Sequence, residues 1–101
     1  HVYKFIVTVT MASNTYKIQC PDADNVINGT IKNMDLDGTA QTIFGTASTS
    51  DTITLNGGTQ GGQVSDTLTL IDIAANLWHV EGQMRTPTGA NPATPFSAAV
   101  S

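Results

Sequence analysis

The amino-acid sequence predicts an all-β fold, a two-sheet antiparallel β-sandwich or jelly-roll-like barrel with an extended C-terminal arm, on three observations. Apolar residues recur at two-residue spacing in short bursts, the pattern of strands with one buried face. Clusters of Gly, Asn, Asp and Ser separate the bursts, as turns require. A helical period is nearly absent, so the chain divides into roughly eight short strands with no helix longer than a turn or two. With 101 residues it affords one core.

The first burst, Val2 to Thr10, puts Tyr3, Phe5, Val7 and Val9 on one face and Lys4, Thr8 and Thr10 on the other. Met11 to Asn14 reads as a turn. Tyr16, Ile18 and Cys20 then alternate with Lys17 and Gln19, until Pro21 removes a backbone donor and ends the strand. Asn28-Gly29, between Val26-Ile27 and Thr30-Ile31, reads as a tight hairpin turn or bulge. Asp35 to Gly38 marks a further turn before the strand-like stretch Gln41 to Ala47, in which Ile43 and Phe44 are the large apolar groups.

A short internal echo follows. Ser50-Asp51-Thr52-Ile53-Thr54-Leu55 recurs as Ser65-Asp66-Thr67-Leu68-Thr69-Leu70, with threonine hydroxyls expected toward water and aliphatics toward the core. The segment Asn56 to Gln63 between the copies reads as a flexible Gly-rich loop with nothing to bury. The second copy continues through Ile73, turns at Ala74-Ala75-Asn76 and returns as Leu77 to Met84. On that return strand Trp78, Val80 and Met84 share one face, and His79 and Glu81 the other.

Residues 1–86 are therefore assigned to the sandwich domain and residues 87–101 to an extended Pro-containing arm. Pro87, Pro92 and Pro95 oppose regular pairing there, while Phe96 and Val100 supply apolar groups that would anchor the arm on an adjacent subunit. The chain opens directly on a strand-like segment at His1 with no initiator Met, which reads as a processed or partly observed protein.

Charge narrows the function. Only 12% of residues are charged and the net charge is −4, with Lys4, Lys17, Lys32 and Arg85 scattered singly. No basic stripe is available to neutralise phosphates, so neither direct nucleic-acid binding nor an anionic membrane is expected. Thr, Ser, Asn, Gln and Gly replace the missing charge and give a polar, nearly neutral skin. Cys20, the single cysteine, excludes an intrachain disulfide and has no neighbouring cation to make it a nucleophile.

Catalytic and metal chemistry find little support. His79 and Glu81 share a strand face, but no third ligand or nucleophile accompanies them, so a solvated face is the better account. Asn33 to Gly38 resembles the first half of a calcium loop, yet Phe44 stands where a bidentate Glu is required, and a plain Asp-Gly turn is favoured. Asn28-Gly29-Thr30 fits a glycosylation triplet without a secretion signal, and Gly57 to Gly62 lack the spacing of a phosphate loop. A hydrolytic triad would have to use His79. Tyr3, Tyr16 and Trp78 could stack on sugars, but each falls on an expected core face. No catalytic residue, cofactor or metal ligand is assigned.

The series Asp51 to Gly57, Gly61-Gly62, Asp66 to Leu70, Asp72-Ile73-Ala74 and Leu77-Trp78-His79-Val80, with the closing Ala93 to Ser97, resembles β-rich domains in structural proteins of tailed bacteriophages. The likeness covers the second half of the chain well and the first half loosely. It implies a non-enzymatic virion protein of the capsid decoration (cement) or head-fibre type, trimeric on the outer surface of the phage head and bound to the major capsid protein. The alternative is a tail-fibre or receptor-binding module that recognises host glycans or proteins, and a third reading is an enzyme dependent on His79. The resemblance carries no catalytic or ligand residue onto this chain.

Overall fold

The structure, a computed structural model, describes residues 2–10, 15–22, 24–35, 41–87 and 92–100, with the side chain of residue 35 excepted. Among these residues eight strands run in chain order: β1 (Val2–Ile6), β2 (Tyr16–Gln19), β3 (Val26–Asp35), β4 (Gln41–Gly45), β5 (Thr52–Leu55), β6 (Thr67–Ala74), β7 (Leu77–Thr86) and β8 (Phe96–Ser97). They form a five-stranded sheet, β1-β6-β7-β3-β4, and a three-stranded sheet, β2-β5-β8, packed as the expected sandwich. The sheets are not wholly antiparallel, because β3 and β7 pair in parallel from Val26 opposite Leu77 to Asp35 opposite Thr86.

The hairpin joining β6 to β7 closes over Ala75-Asn76, and Asn76 has a φ of 61°. Asparagine tolerates that left-handed conformation better than branched residues do. From this turn the two-residue period carries Leu68 and Leu70 of β6, and Val80 and Met84 of β7, into the core. Ile27 and Ile31 of β3 join them on the same face, while Ile53, Leu55 and Phe96 close the core from the smaller sheet. Burying each of these large apolar side chains stabilises the fold by about 1.5–3 kcal/mol.

The two echoed segments serve opposite layers, since β5 lies at the centre of the small sheet and β6 lies within the large one. Their aliphatic positions are buried as expected, but Thr52 is fully buried as well. Its hydroxyl donates to Asp51 Oδ1 at 3.0 Å and accepts from Gln19 Nε2 at 3.4 Å. Asp51 and Asp66, equivalent in the echo, are both buried.

Three expectations are corrected. Asn28-Gly29 makes no turn: β3 is continuous through it, and Gly29 lies beside Val80 in the parallel pair. Glycine is needed there because its φ is +147° and a Cβ would overlap the Val80 carbonyl. The Gly-rich loop between β5 and β6 is also not a free loop, since Gly61, Gly62 and Gln63 are buried. Asn56 Oδ1 accepts from the amides of Gly58 (2.8 Å) and Gln60 (2.9 Å), and Asp66 Oδ2 accepts from those of Gly62 (2.9 Å) and Gln63 (3.0 Å). A Cβ on Gly61 would press on Met84 Sδ, so the loop's lack of side chains lets it approach the core.

The third correction concerns the arm. Residues 92–100 lie against their own sandwich: Phe96 pairs with Ile53 in β5, and Pro95 and Phe96 are buried. The amide of Thr54 donates to Pro95 O at 2.8 Å, and that of Val100 donates to Asp51 Oδ1 at 3.2 Å. The small sheet needs a second neighbour for β5, and Phe96 supplies both that strand and the apolar plug beneath it. The turns expected at Met11 to Asn14 and after Asp35, with most of the calcium-like segment, fall outside the described residues, as do His1 and residues 88–91.

One part of the core is polar without partners. Asn33 and Thr86 are fully buried, and among the described residues neither the Asn33 amide atoms nor the Thr86 hydroxyl has a hydrogen-bond partner. An orphaned buried polar group costs about 1–3 kcal/mol. Asn33→Leu, close in volume, is therefore expected to raise stability by about 1–2 kcal/mol, measured as a higher urea midpoint at unchanged slope.

Candidate functional site

Each sheet ends in a strand hydrogen-bonded on one side only, and two of these edges, β1 and β2, bound the same flank of the sandwich. Tyr3 and Phe5 point inward from β1 by the same alternation that directs their cross-strand partners Leu70 and Leu68 into the core. The smaller sheet is too narrow to cover them. A cleft of about 220 Å³ results, with Ile27, Leu70 and Trp78 at its base and Ile18, Gln19 and Pro21 on the β2 side. The Tyr3 and Trp78 rings lie 5.7 Å apart at 39°, a tilted pairing that sets one wall.

The apolar surface continues past the cleft along the same flank, where Ile6, Val9, Tyr16 and Ile18 line a second shallow lobe. Tyr3 is 49% exposed, Phe5 40%, Tyr16 61% and Val9 76%. Large apolar side chains gathered in this way are uncommon on isolated monomers and mark interaction sites. Lys4 in β1 and Lys17 in β2 place half of the chain's four basic residues on the two bordering strands.

The described lining of the cleft is mostly apolar. Among the described residues, the polar side-chain groups of its first lobe are the Gln19 amide, the Tyr3 hydroxyl, the Cys20 thiol and the Trp78 indole N–H. Burial pushes the Cys20 thiol up, and the negative charges of Asp51 and Asp22 add to that, so the reactive thiolate is disfavoured. A pyranose would need convergent hydrogen-bonding groups beside the aromatic faces, and the described lining is predominantly apolar.

The other sequence candidates are placed elsewhere. His79 and Glu81 do share the outer face of β7, with Nε2 and Oε2 3.9 Å apart, but both side chains are solvated at 40% and 65% exposure. Among the described residues no group of three His, Cys, Asp or Glu side chains is arranged to hold a metal ion. Pro87, Pro92 and Val100 are half-buried, and Pro95 and Phe96 are buried in the chain's own fold. None of these five lines the β1/β2 cleft.

Sequence periodicity places Tyr3, Phe5 and Tyr16 on the inner face and thereby conceals the cleft. The face is right for Tyr3 and Phe5, but whether an inner face is covered depends on the width of the opposite sheet. The available signal is the density of large apolar groups in Val2 to Val9 and Tyr16 to Ile18 beside a single lysine each. No protein-family model, curated protein or solved structure matches the chain.

Proposed function

We propose that the chain is a non-enzymatic structural module of a virus particle, of the capsid decoration or head-fibre kind, which attaches through the β1/β2 flank. The observation that carries this reading is the run of exposed apolar side chains, Tyr3, Phe5, Ile6, Val9 and Tyr16, along two strands at the ends of their sheets above an apolar cleft. Its occupant is an extended apolar segment of the major capsid protein, flanked by acidic groups that meet Lys4 and Lys17. Backbone groups on the β1 and β2 edges supply hydrogen bonds, and the cleft supplies side-chain pockets, the two ingredients of strand addition. The resemblance of Asp51 to Val80 to phage structural domains points the same way, as does a skin too poor in charge to repel closely packed neighbours.

In purified particles of the source virus the chain is expected at high, fixed copy number, quantified by mass spectrometry against the major capsid protein. Replacing Val9 and Tyr16 together by Glu is expected to lower the particle-bound copies at least tenfold while leaving the thermal midpoint of the free chain unchanged, because both side chains already face solvent. Recovery of the chain only in particle-free fractions would refute the virion reading. Undiminished attachment of the double variant would refute the assignment of the flank.

A further inference from the structure

We propose that β4 pairs antiparallel with β4 of a second copy across a two-fold axis at Ile43, joining two five-stranded sheets into one. An edge strand presents unpaired N–H and C=O groups, and proteins that keep such an edge free protect it with charge, proline, a bulge or brevity. Among the described residues, three of the four edges are guarded in that way against pairing with a second copy. β1 carries Lys4 at its centre, β2 carries Lys17, and β8 is two residues long behind Pro95. β4 reads Gln41-Thr42-Ile43-Phe44-Gly45, with no charge and no proline, and its register with β3 runs unbroken from Thr30 opposite Gly45 to Met34 opposite Gln41.

The backbone sets which residues would meet a partner. The Thr46 amide donates to Gly29 O at 3.1 Å, so it points into the sheet. Strand alternation then turns the amides and carbonyls of Gln41, Ile43 and Gly45 toward the side of β4 that no other described strand pairs. A two-fold axis at Ile43 makes Ile43 face Ile43 of the second copy as a hydrogen-bonded pair, and makes Gln41 face Gly45 of the second copy in the same way.

Side chains in this register complement one another. Ile43 is 68% exposed, and two such side chains would cover each other at the axis. Nothing lies within 4 Å of the position a Cβ would take on Gly45, which leaves room for the long Gln41 side chain of the opposite copy. On the other face Thr42 would meet Phe44, again small against large. The same operation on β1 about its central residue would set Lys4 against Lys4, a like-charge pair that disfavours it. A self-complementary edge of this kind closes as a two-fold dimer, whereas the phage resemblance implies a trimer.

The choice of a second copy as partner rests on the reading of the chain as an assembly module, but the test uses the full chain free in solution, so its outcome is independent of particle attachment. Analytical ultracentrifugation and native mass spectrometry are expected to show a concentration-dependent dimer, and Ile43→Lys to raise its dissociation constant at least tenfold with an unchanged far-ultraviolet spectrum. Ile43→Cys is expected to be joined across the axis by a short bis-thiol crosslinker, since directly opposed Cβ atoms lie about 4.5–5.5 Å apart, beyond the reach of a direct disulfide. Lys4→Cys should not. A monomer at all concentrations, a trimer, a dimer indifferent to Ile43→Lys, or crosslinking from Lys4→Cys as efficient as from Ile43→Cys would overturn the proposal.

Discussion

Gly29→Ala is expected to abolish the cooperative native state. Gly29 sits within β3 opposite Val80, at the heart of the parallel pair that joins the two ten-residue strands. The added methyl would overlap the Val80 carbonyl and approach Val80 Cγ1 to 3.1 Å, and the φ of +147° is one that L side chains rarely adopt. A backbone carbonyl does not step aside as a flexible side chain would. Val80 itself is fully buried, so relief requires separating β3 from β7 and opening the core between Ile31 and Met84. The loss should exceed about 4 kcal/mol, against a total of about 5–10 kcal/mol for a domain of this size. Circular dichroism and the dispersion of amide proton resonances measure it. A variant that melts within about 2 °C of the parent would show that β3 does not pass Val80 in this register.

Asp66→Ala is expected to cost about 3–5 kcal/mol, the second largest effect. The Asp66 side chain is 2% exposed, with the Arg85 Nε 3.7 Å from its Oδ1. Its Oδ2 gathers the amides of Gly62 (2.9 Å), Gln63 (3.0 Å) and Arg85 (3.1 Å). Alanine leaves those donors buried without an acceptor, at about 1–3 kcal/mol for each that water does not reach. Asp66→Asn keeps one oxygen and is expected to cost less than half as much. Hydrogen exchange at Gly62 and Gln63 should quicken in Asp66→Ala in step with the fall in the urea midpoint. Unaltered protection at both amides would sink this account of the loop.

The same carboxylate gives a pH dependence. Burial pushes the Asp66 carboxyl up, although the amides of Arg85, Gly62 and Gln63 and the Arg85 guanidinium all pull it down. Because its folded value lies above the unfolded one, ionisation costs the fold. The contribution of this group to stability is full below the ordinary carboxylate range and is lost as pH rises through the folded value. The stability difference between the parent and Asp66→Asn should therefore shrink from acid to neutral pH.

Much of this architecture was legible in the chain. Alternation in Leu68 to Leu70 and Val80 to Met84 gave the inner faces, and Asn76 marked the β6–β7 hairpin. His79 and Glu81 were placed correctly on a solvated face. The failures share a cause. Gly29 resembles a turn glycine to any local pattern, because Asn-Gly meets the need of a hairpin and nothing nearby in sequence reveals Val80, which closes on it from the far strand. The glycines at 57 to 62 look unanchored because their acceptors, Asp66 and the Asn56 side chain, act through folded geometry. Phe96 looks stranded because the gap it fills belongs to β5, more than forty residues earlier.

The sequence by itself determined the all-β class and the single core, since side-chain period and composition are properties of neighbouring residues. Tertiary structure alone decided the strand order, the parallel seam between β3 and β7, the use of the C-terminal segment as β8, and the uncovered cleft beside β1 and β2. Those outcomes turn on which edges meet and how wide each sheet becomes. They are set by pairings between distant segments whose energies compete only when the whole chain is collapsed, so no short window of residues contains them.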